Sequence, residues 1–168
     1  TVARNAGQYP MYYSRNNTHR PESAGDGLFT SRYWDTQSSP LFSFGFGLSY
    51  TSFQFSDLTL DKTEKKNGEA LRVSVKVENT GKVAGDEVVQ LYLHQRYGSD
   101  SRPMRLLKDF TRVTLQPGES RIVEFAITDE MLTYWSSAEN AYVLDESDFD
   151  LYVTNGSDQT LHGEFSTK

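Results

Sequence analysis

Apolar and polar residues alternate along four short segments after residue 70. These segments are LRVSVKVE from residue 71, EVVQLYLH from 87, RIVEFAI from 121 and DFDLYVT from 148. A period of two residues is typical of a β-strand with one buried face. The pattern predicts these inward-facing residues: Leu71, Val73, Val75 and Val77; Val89, Leu91 and Leu93; Val123, Phe125 and Ile127; and Phe149, Leu151 and Val153.

Turn-forming residues separate these segments at short intervals. The sequence NTG occupies residues 79–81, and Pro117 and Gly118 follow the apolar run RVTL. With the shorter runs NAYVL and LHGEF, the pattern indicates about seven strands, which is typical of an all-β immunoglobulin-like or fibronectin-III-like β-sandwich. The chain has no cysteine. It therefore lacks the disulfide of antibody domains, and the fibronectin-like variant is favoured.

One segment in this region does not alternate. In TDEMLTYW, Thr128 is suited to cap a single helical turn, and Asp129 and Glu130 suit the positive end of such a turn. We therefore expect a short helix or turn that crosses between the two sheets.

Residues 40–55, PLFSFGFGLSYTSFQF, contain six aromatic residues, two glycines and no charge. A membrane-spanning helix needs about 20 mostly apolar residues, and here polar residues interrupt the run. Pro40, Gly45 and Gly47 disfavour an amphipathic helix, and the alternation is too irregular for one long strand. We expect an extended segment whose rings lie over an apolar surface.

Residues 1–35 show no strong period. They contain two short aromatic clusters, GQYPMYY and LFTSRYWD, separated by the loop-like SRNNTHRPESAGDG. Neither cluster has enough apolar residues to form a core of its own. The sequence therefore predicts an irregular tail that belongs to a larger unit.

Charge and composition exclude several classes of function. The 168 residues carry a formal net charge of −6, which argues against nucleic acid and membrane as partners because both favour a basic surface. The absence of cysteine removes thiolate chemistry. The aromatic content of 13% has two interpretations. The rings could fill an all-β core, or exposed rings such as Trp34 and Trp135 could form a platform for carbohydrate.

No motif predicts a catalytic, cofactor or metal site. The three histidines, His19, His94 and His162, are far apart and lack metal-ligand spacing. The 23 acidic residues lie mostly in turns and on the polar faces of strands, so no pair stands out as the two carboxyl groups of a glycosidase. The triplets NNT at 16–18 and NGS at 155–157 match the N-glycosylation pattern, which often occurs by chance.

Five motifs follow one another along the chain: GQYPMYYSRNNTHRP, SRYWD, PLFSFGFGLSYTSFQFSDLTL, VENTGKVAGDEVVQLYLH and SRPMRLLKDFTRVTLQPGES. In this order and spacing they resemble the C-terminal end of glycoside hydrolase family 3 enzymes, of the bacterial periplasmic β-glucosidase kind. The likeness covers almost the whole chain. One departure is His19, where the family more often has glycine in a TGRP turn, and this leaves the detail of that loop open.

The resemblance implies a parent enzyme with a barrel, an α/β sandwich and a fibronectin-III-like domain, acting as a retaining β-glucosidase. Its nucleophile Asp and its acid/base Glu would lie in the first two domains, upstream of Thr1, so the chain alone is expected to be inactive. Residues 1–39 would be the end of the α/β sandwich, 40–56 the interdomain connection and 57–168 the fibronectin-like domain. The resemblance also implies a periplasmic or secreted location.

Residues 40–55, which we call the ring-rich segment, are then expected to hold the domains in one orientation. Glycine allows close backbone approach, and each ring buries about 150–250 Å² when it is covered. Without the catalytic domains some rings would be exposed, and self-association of the chain is expected. The residues predicted to pack between the domains are Phe42, Phe44, Phe46, Tyr50 and Phe53.

Three functions stay open on this evidence. The first is a structural module that orients catalytic domains, with the loop HQRYGSDSRPMR at 94–105 either reaching the active-site rim or serving as an ordinary connection. The second is a carbohydrate-binding module without catalysis. The third is a free-standing enzyme, which the absent catalytic pair disfavours. A β-xylosidase parent is also open.

Overall fold

The computed structural model describes residues 1–9, 11–16, 30–157 and 159–168. Within these ranges the chain forms ten strands and one helical turn. Their bounds are β1 Phe53–Leu60, β2 Glu64–Lys65, β3 Leu71–Asn79, β4 Gly85–Gln95, β5 Leu106–Leu115, β6 Ser120–Ile127, α1 Asp129–Leu132, β7 Tyr134–Ser136, β8 Ala141–Val143, β9 Asp148–Thr154 and β10 Thr160–Thr167.

Two sheets face each other and enclose the core. The smaller sheet has the strand order β1-β3-β6, and the larger has the order β2-β10-β9-β4-β5. Neighbouring strands are antiparallel, except that β2 pairs with β10 in parallel. This arrangement confirms the all-β, fibronectin-III-like sandwich that the alternation predicts.

Every inward-facing residue that the alternation predicts is buried. The register of β4 against β9 places Leu91 opposite Val153 and Leu93 opposite Leu151, so these side chains extend to the same side of the larger sheet. Buried side chains from both sheets pack into one apolar cluster. The spacing of two residues therefore identifies most of the core, which is completed by Phe53, Phe55, Val113, Leu115, Leu132 and Phe165.

The run NAYVL forms a strand that does not join the sandwich. β7 and β8 make a two-stranded sheet of their own, with Trp135 opposite Tyr142. This hairpin lies in the connection between α1 and β9. The sequence pattern predicts that a strand forms there, but the sheet that a short strand joins depends on distant partners.

The helical turn expected in TDEMLTYW is present as α1. Thr128 occupies the cap position, but its side chain makes no capping hydrogen bond, so the expected cap is wrong in this detail. Instead, the Asp129 carboxylate accepts a hydrogen bond from the Lys65 ammonium and another, at 2.7 Å, from the Gly68 backbone N–H. Lys65 is completely buried, so this ion pair joins α1 to the edge of the larger sheet.

The first strand begins inside the segment expected to connect two domains. β1 starts at Phe53, which is 7% exposed and belongs to the same apolar cluster as Phe55. The ring of Phe53 is therefore part of the sandwich core, which corrects the expectation that it packs against another domain. The domain boundaries drawn after residues 39 and 56 stay predictions.

The residues before β1 follow an irregular course where they are described. Isolated bridges link Val2 to Phe42 and Asn16 to Pro103, and the Val2 N–H donates to the Phe42 carbonyl at 2.8 Å. The tail is therefore held to the ring-rich segment and to the sandwich by backbone contacts. In the described part of the chain, no helix has the length and apolar character that crossing a membrane requires.

Candidate docking face

The outer surface of the larger sheet, which faces away from the core, is covered where β4 crosses it. Gln90 and Tyr92 lie on this outer side of β4, yet they are only 6% and 4% exposed. The residues that cover them come from the tail and the ring-rich segment, at Tyr13, Phe44 and Gly45. The larger sheet is therefore packed on both surfaces at this point.

Aromatic rings form the centre of this contact. Tyr13 stacks on Phe44 with ring centres 4.1 Å apart and planes at 14°, and it meets Tyr92 edge-on at 6.3 Å. Stacked and edge-on arrangements are both favoured by aromatic pairs. Burial, with a smaller contribution from Tyr13, raises the pKa of the Tyr92 phenol, so this hydroxyl is a hydrogen-bond donor at neutral pH.

Gly45 lies directly against the sheet. Gln90 Nε2 donates to the Gly45 carbonyl oxygen at 3.0 Å, and the Tyr92 hydroxyl donates to Gln90 Oε1 at 2.7 Å. Gly45 has a φ of +83°, and a Cβ there would lie 2.2 Å from Gln90 Oε1. The position therefore requires glycine both for its backbone conformation and for the close approach.

A second glycine, Gly156, follows the end of β9 and lies against the backbone of Gly45. Gly156 has a φ of +77°, and a Cβ there would lie 2.1 Å from the Gly45 carbonyl oxygen. The Gly156 N–H donates to Thr154 Oγ1 at 2.9 Å, which holds this turn in place. Two glycine backbones thus anchor the ring-rich segment, whereas a Cβ at Gly47 would meet no heavy atom within 4 Å.

Several apolar side chains of the ring-rich segment remain exposed, and we call four of them the apolar strip: Phe42, Phe46, Leu48 and Tyr50. Phe42 and Phe46 contact each other with ring centres 4.6 Å apart but are still 41% and 37% exposed. Leu48 and Tyr50 are 91% and 103% exposed. Exposed apolar side chains this close to one another in the sequence mark a candidate interaction surface.

The residues predicted to pack between domains therefore fall into three groups. Phe42, Phe46 and Tyr50 belong to the apolar strip, where a partner could cover them. Phe44 contacts Tyr13 and is still 40% exposed. Phe53 lies in the sandwich core. The contact of the strip with another domain stays a prediction.

Sequence reasoning missed the buried residues of the larger sheet that the ring-rich segment covers. Gln90 and Tyr92 alternate with inward-facing residues of β4, so a two-residue period predicts that both are exposed. Tyr13 ends a short aromatic run, but nothing in the run indicates its partner. The one available signal is the glycine pair of the ring-rich segment, because glycine is common where a backbone approaches a neighbour closely.

A polar cluster lies on the same outer surface. The Asp150 carboxylate accepts hydrogen bonds from Arg96 at 2.6 and 3.1 Å, and it contacts His162 at 3.0 Å and His94 at 3.1 Å. Arg96 above all, with His162 and His94, holds the pKa of Asp150 well below its usual range. The two histidines are far apart in sequence and meet because both strands flank β9.

The same cluster contains groups that could ligate a metal. Asp150, His162 and Glu164 each offer one ligand atom, and these atoms lie within 4.8 Å of one another. Arg96, however, already bonds Asp150 and also pairs with Glu164 at 2.6 Å. A metal ion would have to displace the guanidinium from both carboxylates. We therefore interpret the cluster as an ion-pair network that joins β4, β9 and β10.

The chain is similar to known proteins over nearly its whole length. The model of the family "Fibronectin type III-like domain" matches residues 87–157. A periplasmic β-glucosidase from Salmonella typhimurium is 40% identical over 96% of this chain, and a β-xylosidase from Formosa agariphila is 45% identical over 74% of it. A crystal structure of a β-glucosidase from Listeria innocua superposes with a TM-score of 0.89 and 32% identity over 96% of this chain.

These homologues are glycoside hydrolase family 3 β-glucosidases and β-xylosidases, and they match this chain at 35–45% identity. The resemblance carried by the five sequence motifs is thereby confirmed. The chain spans only a small part of these relatives: 21% of the Salmonella protein, 16% of the Formosa protein and 22% of the Listeria protein.

The loop at 94–105 is held against the β7–β8 hairpin. The Ser99 N–H lies 2.7 Å from Asp145 Oδ2 and 3.0 Å from the Tyr134 hydroxyl, and both oxygens accept from it. Asp100 Oδ2 accepts from the Ser137 N–H at 3.3 Å. These bonds fix the loop to the sandwich, and its reach towards an active-site rim stays a prediction.

Both tryptophans carry exposed rings. Trp34 is 75% exposed, and the Arg32 guanidinium lies 4.9 Å from its ring centre. Trp135 is 50% exposed and meets Tyr142 edge-on, with ring centres 5.4 Å apart and planes at 79°. Each tryptophan therefore offers a single accessible ring, and the Trp135–Tyr142 pair does not form a flat platform.

The NGS triplet is not an accessible glycosylation site. Asn155 is only 8% exposed, and its Oδ1 accepts from the N–H groups of Ser157 and Gln159, both at 3.1 Å. The amide thus stabilises the turn between β9 and β10. Residues 17 and 18 of the NNT triplet, and His19 after them, lie outside the described residues.

Proposed function

We propose that this chain is the accessory fibronectin-III-like module of a longer β-glucosidase-type glycosidase, and that its apolar strip packs against the catalytic part of that protein. The observation that carries this proposal is the strip itself. Leu48 and Tyr50 are almost fully exposed, yet their segment is anchored by the close contact between Gly45 and Gly156. A rigidly held apolar surface suits a permanent partner within the same protein.

The relatives support the identity of that partner. The Salmonella and Listeria proteins are named β-glucosidases, and the part similar to this chain is 21% and 22% of each. The remainder of a similar protein would contain the catalytic domains, with the nucleophile Asp and the acid/base Glu. This chain would then stabilise and orient those domains and supply no catalytic group of its own.

The coding sequence upstream of Thr1 is the first test. An open reading frame that encodes a barrel and an α/β sandwich in the same polypeptide is the expected result. A start codon immediately before Thr1 would overturn the proposal, because the strip would then have no partner in its own protein.

A substitution in the longer protein tests the contact directly. The double variant Leu48→Ala and Tyr50→Ala should lower its thermal midpoint, because burial of one leucine contributes about 1.5–3 kcal/mol. Hydrolysis of a chromogenic β-glucoside after brief heating gives a second readout. The matched control is Ile122→Ala with Tyr142→Ala, since these side chains are 66% and 74% exposed on other surfaces.

If both double variants melt at the temperature of the parent protein, the strip is not covered and the proposed contact is refuted. An equal loss in both would indicate a general effect of removing apolar side chains. Only a fall in the thermal midpoint that is confined to the Leu48 and Tyr50 double variant supports packing of the strip against the catalytic part.

The strip also gives the isolated 168-residue chain a surface for self-association. Sedimentation velocity should show a concentration-dependent mass, and a hydrophobic dye should bind. Leu48→Asp should reduce both signals. A clean monomer that binds no dye would contradict this part of the proposal.

The parent substrate has two candidates because relatives carry two names. The Salmonella relative and the Listeria crystal structure, which each match 96% of this chain, are both named β-glucosidases, so we favour glucosides. Comparing kcat/KM of the longer protein on chromogenic β-glucosides and β-xylosides decides between them, and a clear preference for the xyloside would reverse the assignment.

A carbohydrate-binding module is the second candidate function, favoured by the exposure of Trp34 and Trp135. Such rings could stack on sugar faces. Titration of the chain with cello-oligosaccharides tests this role, with Trp34→Ala and Trp135→Ala as the informative variants. Absence of binding would remove this candidate.

A periplasmic or secreted location is proposed from the periplasmic β-glucosidase of Salmonella, which is 40% identical to this chain. Fractionation of cells that express the longer protein should recover its glucosidase activity outside the cytoplasm. Activity confined to the cytoplasmic fraction would overturn this location.

A further inference from the structure

Asparagine is followed by glycine twice in the chain, at Asn67-Gly68 and at Asn155-Gly156. Such a pair can react with itself, because glycine has no side chain to hinder attack by its backbone nitrogen. The nitrogen bonds to the carbonyl carbon of the asparagine side chain and gives up its proton, and ammonia leaves. Water then opens the resulting succinimide ring at either carbonyl, which produces aspartate or isoaspartate without any oxidant or cofactor.

Asn155 is held in a geometry that opposes this reaction. It is 8% exposed, and its Oδ1 accepts hydrogen bonds from the Ser157 and Gln159 N–H groups. The Gly156 N–H donates to Thr154 Oγ1 at 2.9 Å. Attack would require the side chain and the glycine nitrogen to leave these partners together, so the folded turn protects Asn155.

Asn67 lies in a turn between β2 and β3 and is exposed. A backbone hydrogen bond from the Glu69 N–H to the Lys66 carbonyl closes the turn at 3.1 Å. Gly68 has a φ of +82°, and a Cβ there would meet no heavy atom within 4 Å. The Asn67 side chain has no hydrogen-bond partner in the described part of the chain. Little therefore keeps its amide carbon from approaching the Gly68 nitrogen.

One contact restrains the reacting nitrogen itself. The Gly68 N–H donates to Asp129 Oδ2 at 2.7 Å, and the same carboxylate pairs with the buried Lys65 ammonium. A hydrogen bond to a carboxylate is strong, and it holds the proton that the nitrogen must lose during attack. The nitrogen is also part of the contact that joins α1 to the edge of the larger sheet.

We propose that Asn67 is a site of spontaneous deamidation in the folded protein, that Asn155 is protected, and that the Asp129 carboxylate slows the reaction at Asn67. Isoaspartate lengthens the backbone before Gly68 and moves its N–H away from Asp129. Either product also places a new negative charge near that carboxylate. Deamidation therefore weakens the contact between α1 and Lys65 as the protein ages.

The reactive turn lies away from the apolar strip. It precedes β3, whereas the ring-rich segment meets the sandwich at the other end of that strand, where the Thr80 N–H donates to the Ser52 carbonyl at 2.8 Å. The inference therefore does not depend on the proposed function, and the 168-residue chain is sufficient for its test.

Peptide mapping by mass spectrometry after incubation in mildly alkaline buffer measures both pairs in one sample. The folded chain should accumulate aspartate and isoaspartate, which chromatography separates, at Asn67 and not at Asn155. A matched sample in guanidinium chloride should react at both pairs, because unfolding removes the contacts that distinguish them. An unmodified Asn67 in the folded chain, or equal rates at the two pairs, would overturn the proposal.

A substitution tests the restraint by Asp129. Asp129→Ala should raise the rate at Asn67 by about threefold to tenfold, the effect of one lost hydrogen bond to a charged group in a partly exposed site. Glu130→Ala, the matched control in the same helical turn, should leave the rate unchanged. Asn155 in the same sample should stay unmodified, which shows that the variant is still folded. An unchanged or slower rate at Asn67 in folded Asp129→Ala would refute the restraint.

Discussion

Two pairs of phenylalanines in one uncharged stretch have opposite surroundings. Phe53 and Phe55, in β1, are 7% and 4% exposed, whereas Phe42 and Phe46, a few residues earlier, are 41% and 37% exposed. The pairs share residue type, sequence neighbourhood and lack of nearby charge. They differ in what lies opposite them, because β1 faces a second sheet and the apolar strip faces solvent.

The exposure of the apolar strip does not result from loose packing of the segment that carries it. The segment that carries the strip is held by the Gln90 bond to Gly45 and by the contact of Gly156 with the same backbone. Such close contacts are typical of a protein interior. The core is therefore complete within this chain, and the apolar strip is an equally well-defined surface that remains to be covered.

Truncation of a buried leucine and of an exposed leucine should change the free energy of unfolding by very different amounts. Leu91→Ala should lower the free energy of unfolding by about 2–5 kcal/mol, because it removes a buried side chain and leaves a cavity. Leu48→Ala should change it by less than about 0.5 kcal/mol, since its side chain is exposed. The measurement is urea unfolding of the isolated chain at a protein concentration low enough to keep it monomeric, and the two leucines differ in exposure as 0% and 91%.

A loss of unfolding free energy in Leu48→Ala comparable to that in Leu91→Ala would contradict this prediction. It would mean that Leu48 is covered in solution, either by the chain itself or by a second copy. Repeating the measurement at several protein concentrations separates these cases, because only association makes the result depend on concentration.

A smaller effect is expected at the ion pair between Lys65 and Asp129. Asp129→Ala leaves the fully buried Lys65 ammonium without its carboxylate. Removing one partner of a buried pair is costly, and screening at the partly exposed Asp129 reduces the loss to about 2 kcal/mol. Urea unfolding at pH 7 measures it. Glu130→Ala is the control, because this neighbour is exposed and has no such partner in the described chain.

The same pair predicts a dependence on pH. The hydrogen bond from Lys65, and then that from the Gly68 N–H, lowers the pKa of Asp129. A lowered folded-state pKa contributes stability that is present above the unfolded value, about 3.9, and is lost as the pH falls through the folded value. The difference between the parent chain and Asp129→Ala should therefore shrink in acid. A constant difference down to pH 2 would show that the carboxylate charge is not the cause.

The sandwich itself could be predicted from the sequence because its signal is local. Alternation in β3, β4, β6 and β9 identifies the residues that are buried between the sheets, and turn residues mark the ends of the strands. The helical turn at Asp129 also follows from nearby residues. Its actual stabilising contact with Lys65 does not, because that lysine lies on a distant strand and lysine is rarely buried.

The contact between the ring-rich segment and the larger sheet could be predicted only in part. The rings and glycines of residues 40–55 indicate an anchored apolar segment, and that segment is present. Burial of Gln90 and Tyr92 could not be predicted, because alternation assigns them to the exposed surface of β4. The Asp150 cluster was missed for a similar reason. Strand register, and not sequence spacing, brings His94 and His162 together.

The last prediction concerns how the apolar strip is anchored. Gly118 and Gly156 both have positive φ, +74° and +77°, but only Gly156 has close neighbours: a Cβ at Gly118 would meet nothing within 4 Å. Gly118→Ala should therefore cost only the backbone penalty, about 1–2 kcal/mol. Gly156→Ala should cost the same and also push the Gly45 backbone away from the sheet.

Hydrogen exchange distinguishes the two glycines. The Phe46 N–H, which donates to the Ser43 carbonyl at 3.1 Å, should exchange faster in Gly156→Ala and keep its parent rate in Gly118→Ala. Exchange in the core strand β3 should stay slow in both variants. Equal rates at Phe46 would mean that the segment does not depend on the glycine contact. The strip would then be a flexible apolar segment that becomes ordered only when its partner binds, and not a preformed docking surface.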